Sequence, residues 1–484
     1  MQKHPKIVII GAGSLFFGRK LIWSMNRLKG LTNGHLALVD TDPNHLAGME
    51  ALARKVRAES GADHAISAHA DFRDALPGAD FVILSFSKRN AHFRGVDVQI
   101  SARHGIRMCS GDTIGPGGVF RALREFDEIH RIVREVERLC PEAWLVNYIN
   151  PSAVFGMALQ KICRTPWFAL CDSLHIPHLQ KNYLKLIGRE EEEIRDFRMR
   201  IAGVNHFTWL IEADLHGRDV LSEIHEAIRR KGATEREDAY AKSLLNARIS
   251  AQLADVFGAI PVCTAHTKEY LPYWQGYGVH VDDEPAPPLK LFEHEERTRI
   301  TELMWADIEA LTSGKRPVSE FLEKGASDHA TDVIQAIWND SGEHFYVNVP
   351  NMGAVPNLPE AALLELECIV DRRGPRPIPA PAMPCGLVSL QHRILETHEL
   401  TVEGYLRKDP RLLVRALAID PIVNSLATAE AVFKDLVEAQ KDVLPAWLSE
   451  GLSDEERTCG TQAADAGAAQ GAVDLQLGQT REGW

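Results

Sequence analysis

The stretch Lys6 to Gly18, KIVIIGAGSLFFG, restricts the possible folds more than any other: an apolar strand, Ile7 to Ile10, runs into a glycine turn and then a helix from about Gly18 to Leu28. A second strand, His35 to Val39, ends at Asp40. Strand, glycine turn, helix, strand and acidic residue is the order of a dinucleotide-binding unit. In such a unit the turn amides meet a pyrophosphate and the acid accepts from ribose hydroxyls, which favours NAD over NADP. Phe16 stands where the third glycine of G-x-G-x-x-G would fall, so the turn alone could be only a tight strand-to-helix connection. Asp40 and the element order argue for the cofactor. The expected cofactor contacts are Gly11, Gly13, Ser14, Leu15, Phe16 and Asp40, with Ser85 at the end of a later strand.

Length and charge narrow the rest. At 484 residues the chain exceeds one compact core. Lys plus Arg total 54 against 67 Asp plus Glu, a net charge of -13, which argues against phosphate-backbone binding and so against a nucleic-acid partner. Apolar runs such as Ile7 to Ile10 and Phe81 to Leu84 are strand-sized, far below the ~20 residues of a membrane span, so no membrane partner is expected. No signal-like apolar core stands before the first strand, and the eight cysteines show no CxxC pair, which predicts a cytoplasmic protein with reduced thiols.

Further along, Ala65 to Ala70 and Asp80 to Ser85 read as third and fourth strands, followed by a polar, basic loop, SKRNAHFRG, holding Lys88, Arg89, His92 and Arg94. Loops at the carboxyl ends of parallel strands line the ligand crevice, so these cations either meet an anionic group or are simply solvated. The glycines of SGDTIGPGG, Ser110 to Gly118, lead into a helix from Val119 to Leu139 whose apolar positions keep a helical period. The strand Trp144 to Ile149 ends at Asn150 and Pro151; Trp167 to Leu170 delivers Cys171 and Asp172; Arg200 to Val204 delivers Asn205 and His206. Mixed α and β segments follow, with helices at about Thr234 to Phe257 and Phe292 to Leu311, strand formers at Glu343 to Val349 and a helical block from Leu387 to Ala446. The stretch Gly460 to Trp484 lacks a hydrophobic period and reads as a disordered tail.

Cys171 and His206 each lie where an apolar strand runs out, and a thiolate with an imidazole suits a divalent transition metal whose remaining ligands are substrate oxygens and water. Their wide spacing is no ligand signature. From the residues alone, a core thiol and a hydrogen-bonded imidazole remain the stronger reading.

The order GAGSLFF, GDTIGPGG followed by FRALR, WLVNYINP, LCDS, GVNHFTW, KEYLPYW and VNVPNMGAVPNLP, running from about Lys6 to Val423, resembles the family-4 glycoside hydrolases, the NAD- and metal-dependent glycosidases. The fold implied is α/β: a Rossmann-type parallel sheet over residues 1–200, then a mixed α+β substrate domain like that of lactate and malate dehydrogenases over 201–459. The resemblance implies a departure from two-carboxylate glycosidase chemistry. NAD takes hydride from C3 of the sugar, a base removes the acidified C2 proton, the C1 oxygen leaves by elimination, water adds and the hydride returns. It also implies that Cys171 and His206 hold the metal, Mn2+ foremost, that Asn150 binds substrate, that Tyr270 is the C2 base and that Asp172 protonates the leaving group. A homodimer or homotetramer is implied by the same resemblance.

The segment VDVQISARHGIRMCSGDT is closer to members acting on unphosphorylated sugars, while Arg89 and Arg94 suit a carboxylate or sulfonate at C6, and Asn205 is expected to bind substrate as well. The expected substrate is therefore a small-molecule α-glycoside with an anionic C6 group, a uronide or a sulfoquinovoside. Two readings compete with it. A lactate/malate-type hydroxy-acid dehydrogenase would use His206 as an acid/base and leave Cys171 a bystander. A non-catalytic nucleotide sensor would leave Cys171, His206 and Tyr270 far apart.

Overall fold

The computed structural model describes residues 4–171, 174, 178–234, 246–275, 289–423 and 425–448. Asp172 and the stretch 460–484 lie outside them. Thirteen strands are described: β1 (Lys6–Ile10), β2 (His35–Val39), β3 (Ala65–His69), β4 (Phe81–Leu84), β5 (Trp144–Asn147), β6 (Trp167–Ala169), β7 (Phe197–Val204), β8 (Phe207–Leu215), β9 (Arg218–Asp219), β10 (Ile260–Pro261), β11 (Glu343–Pro350), β12 (Leu363–Asp371) and β13 (Gly374–Pro377).

The central strands β1 and β4, KIVII and FVIL, are near-continuous apolar runs because helices cover both faces of a parallel sheet. The parallel part runs β3-β2-β1-β4-β5-β6, the dinucleotide-fold order, with the direction of winding reversing between β1 and β4. The antiparallel strands β11, β12 and β13 then extend the same sheet beyond β6, making nine strands. A second, antiparallel sheet holds β7, β8, β9 and β10. The α/β dinucleotide fold followed by mixed α and β structure is therefore present, and one sheet draws strands from both sides of residue 200.

Local chemistry explains the element ends. Helix Pro43–Ser60 starts where Asp42 accepts from the amides of Asn44 and His45, with Pro43 in the first turn, and stops at Gly61 in the left-handed region. The helix expected from Val119 begins one turn earlier, at Gly115, since Pro116 is tolerated where its missing N–H has no intrahelical role. Two segments differ more. The expected basic loop after β4 becomes a helix at Asn90–Arg103; its inward face carries Arg94 and Asp97 beside Phe93 and Val98, so buried charges hide the apolar period. Strand β12 was not anticipated for the same reason, as Glu365 on it is buried. Among the described residues no helix is long and apolar enough to cross a membrane.

Candidate active site

Two clusters of residues lie at the carboxyl ends of the parallel strands. The first follows β1. Gly11 takes φ +92, and a Cβ there would strike the backbone carbonyl of Ser85, so the turn closes only around glycine. A Cβ on Gly13 would fall 2.8 Å from both the Asp40 carboxylate and the His45 Cβ. The Gly13 amide donates to Asp40 at 2.7 Å, and the Asp42 amide donates to the other carboxylate oxygen at 2.9 Å. Each oxygen has a second lone pair, which leaves Asp40 able to accept from a ribose. The amides of Leu15 and Phe16 donate to no backbone carbonyl among the described residues, and the Ser85 hydroxyl is buried without a partner there. A turn with bare amides at the start of helix Gly18–Arg27, at the switch point of the sheet, fits a dinucleotide pyrophosphate.

The second cluster joins residues from distant parts of the chain. Cys171 follows β6 and is 9% exposed; His206 sits in the two-residue turn between β7 and β8 and is 4% exposed. Sγ of Cys171 and Nε2 of His206 are 3.1 Å apart. Donors this close could reach one divalent ion together. His206 has φ +69, a conformation that costs a non-glycine residue on the order of 1–3 kcal/mol and calls for surrounding support. That support comes from Gln391 of helix Cys385–Arg407, which accepts from the Val204 amide and donates to the Phe207 carbonyl, each at 2.9 Å. The ring of His206 also stacks on His266 at 3.8 Å. Burial, then His266, pushes its pKa well below the ordinary value, so the imidazole is neutral, the form that binds a metal. Its Nδ1 is buried with no partner among the described residues. Among the described residues no group of three His, Cys, Asp or Glu is arranged to hold a metal ion, so the described protein donors here are this pair. The donor set fits a divalent transition metal.

Tyr270 is 1% exposed, stacks on Phe207 and donates its hydroxyl to the Asn205 carbonyl at 3.1 Å. Burial raises its pKa well above the phenol range, and Glu269, Asp112 and Cys171 push the same way. As a base it therefore needs added positive charge. Glu269 binds the SGD loop to this segment, accepting from the amides of Ser110 and Gly111 at 3.0 and 2.8 Å. The loop thereby brings Asp112 against Arg94 at 3.6 Å and Arg121 at 3.4 Å. Burial opposes the charge on Asp112, but the two guanidinium groups outweigh it and hold the carboxyl below its usual range.

Cys171, His206 and Tyr270 thus converge. Asn150 joins them, its amide donating to Asp112 at 3.5 Å and its carbonyl accepting from Arg121 at 2.7 Å. Arg94 is buried, donates to the Ser110 carbonyl and lies over the Phe292 ring. Asn205 turns its amide to Glu365 at 3.2 Å. Arg89, exposed, lies over Phe93. Sequence reasoning missed Asp112, Arg121, His266, Glu269, Glu365 and Gln391. Asp112, Arg121 and Glu269 stand in the quoted GDTIGPGG, FRALR and KEYLPYW blocks; the others carry no local signal.

Residues 6–178 match the family 4 glycosyl hydrolases, and residues 201–423 match the family 4 glycosyl hydrolase C-terminal domain. An alpha-galactosidase of Bacillus subtilis (strain 168) is 28% identical, covering 92% of this chain and 99% of its own. An alpha-galacturonidase of the same organism is 28% identical, covering 90% of this chain and 97% of its own. A solved 6-phospho-alpha-glucosidase from gut microorganisms, in complex with NAD and Mn2+, has a TM-score of 0.76 at 21% identity, covering 92% of this chain and 99% of its own. That likeness concerns the fold. The family matches favour a glycosidase over a hydroxy-acid dehydrogenase: this chain belongs to the family 4 glycosyl hydrolases.

Proposed function

We propose that the chain cleaves an unphosphorylated α-glycoside carrying an anionic group at C6, a uronide or a sulfoquinovoside, by transient oxidation at C3. The observation that carries this reading is the Cys171–His206 pair, 3.1 Å apart, beside a buried phenol at the carboxyl ends of a dinucleotide-type sheet. When bound, NAD on the glycine turn would supply the hydride acceptor, and Cys171 and His206 would hold a divalent ion such as Mn2+ that would supply Lewis-acid charge.

The side chains do the rest. Once C3 is a ketone, Tyr270 takes the C2 proton. The electron pair left at C2 forms the C1–C2 double bond as the C1–O bond breaks, and the departing oxygen takes a proton, the role of Asp172. Water then adds across C1–C2 and hydride returns to C3. One water is consumed and no reduced cofactor accumulates. Asn150, held by Asp112 and Arg121, orients the sugar. Arg94 and Arg121 bring two positive charges to the single carboxylate of Asp112, a surplus that suits a carboxylate or sulfonate on the substrate. The galacturonidase relative supports that anionic class.

Hydrolysis of a panel of aryl α-glycosides in D2O, with NAD and Mn2+, tests the proposal. The expected outcome is deuterium at C2 of the released sugar, a preference for the uronide or sulfoquinovoside and no NADH. Product without deuterium at C2 overturns the elimination; preference for a neutral hexoside overturns the anionic substrate; accumulating NADH restores the dehydrogenase.

A further inference from the structure

We infer that Arg297 is a cofactor clamp, its guanidinium gripping the pyrophosphate of a dinucleotide seated on the Lys6–Gly18 turn. This rests on the reading of that turn as the NAD site. Arg297 comes from helix His294–Ser313, in the second half of the chain, yet its guanidinium lies 4.1 Å from the centroid of the Phe16 ring, in the turn itself. Phe16 is 38% exposed, so the face of the turn beside this guanidinium is open to a ligand.

Arg297 differs from the arginines around it. Arg19 pairs with Asp307 at 2.7 Å, Arg124 with Asp97 at 2.8 Å, and Arg94 and Arg121 share Asp112. Arg297 has no carboxylate within ion-pair distance among the described residues. Burial and the charge on Arg94 weigh against its own charge, with Asp112 offsetting part. A half-buried cation of this kind is stabilised by an anion, and a guanidinium matches phosphate oxygens with two parallel hydrogen bonds. The bare amides of Leu15 and Phe16 would hold the same group from the other side.

The helix that carries Arg297 is fastened to the dinucleotide fold at several points. Arg19 holds Asp307, Lys55 donates to the Thr312 carbonyl at 2.9 Å, and Trp305 stacks on His45 at 4.4 Å. His45 is the residue that a Cβ on Gly13 would strike. Gly95 lies so close to His294 that a Cβ would come within 2.9 Å of it. The clamp therefore has a fixed base. It also suits a reaction that regenerates its cofactor each turnover, in which nothing is gained by release.

Isothermal titration of the full-length protein tests this without catalysis, using NAD, ADP-ribose and adenosine as probes on wild type, Arg297→Ala and Arg297→Lys. Loss of a charge-assisted contact should weaken NAD and ADP-ribose by about ten- to a hundredfold in Arg297→Ala, with adenosine unchanged. Arg297→Lys should recover part of the loss, and the salt dependence of NAD binding should be shallower in Arg297→Ala than in wild type. Unchanged NAD affinity in Arg297→Ala, or an equal loss for adenosine, overturns the clamp. So does a variant whose only defect is a raised KM for glycoside. Wild type that fails to bind NAD refutes the reading of the turn, and the clamp with it.

Discussion

The glycine turn after β1 and the Cys171–His206 corner after β6 lie at the same end of one sheet, yet they are held in opposite ways. The turn is a main-chain device: a positive φ at Gly11, amides at Leu15 and Phe16 that donate to no backbone carbonyl among the described residues, and one carboxylate, Asp40, fixing it from the next strand. The corner is a side-chain device, assembled from β6, the β7–β8 turn, the SGD loop, the KEY segment and helix Cys385–Arg407. A backbone site tolerates changes of side chain but not an added Cβ. A side-chain site behaves the other way, since each member is replaceable in volume but not in chemistry.

The largest effect that would separate the two comes from Cys171→Ala and His206→Ala. On the proposed function either removes one of two metal donors, so glycoside hydrolysis should fall roughly a thousandfold or more, because a Lewis acid contributes several kcal/mol of charge stabilisation. Mn2+ binding followed by electron paramagnetic resonance should weaken in parallel, while NAD affinity stays near wild type. If NAD affinity collapses too, the two regions are one site and the contrast is false.

A smaller effect is expected from the other side. In Gly13→Ala the new methyl would lie 2.8 Å from the Asp40 carboxylate and from His45, and one of them must move. Overpacking of this kind costs about 1–3 kcal/mol, which predicts NAD affinity lowered by about ten- to a hundredfold with Mn2+ binding intact. Calorimetric titration of the two ligands reads both. An unaltered NAD Kd would remove the glycine turn from the cofactor site.

The same contrast decides how much could be read from the sequence. The turn was legible because strand, glycine, helix and Asp40 fall within one short segment, and backbone geometry there dictates residue type. Cys171 and His206 were legible as strand ends, but their pairing rests on tertiary structure, and only the resemblance of LCDS and GVNHFTW to a known family joined them. The supports stayed hidden. Gln391 reaches the His206 turn from a helix far along the chain, and nothing in QHRIL marks it. Arg94 and Glu365 misled outright, since charged residues facing inward made a helix resemble a loop and hid a strand.

Glu365 provides the smallest effect and the finest test. It is buried on β12, accepting from the Thr208 hydroxyl at 2.6 Å and from Asn205, and burial raises its carboxyl to about 7 from an ordinary value of 4.5. For a carboxyl whose folded pKa is raised, the protonated form is favoured in the fold. Its contribution is thus fully favourable below about 4.5 and is lost as pH rises through about 7. Glu365→Gln removes that titration while preserving the contacts: the Gln oxygen can accept from Asn205, and the Thr208 hydroxyl can rotate to accept from the new amide. The variant should therefore gain on wild type as pH rises from 5 to 8, its relative Tm climbing by several degrees in scanning calorimetry. Gly13→Ala, which alters backbone packing and no buried carboxyl of the corner, should keep a constant Tm offset over the same range. A flat difference for Glu365→Gln would mean that the charge beneath the His206 turn is solvated, and that the corner is held by packing in place of its buried polar network.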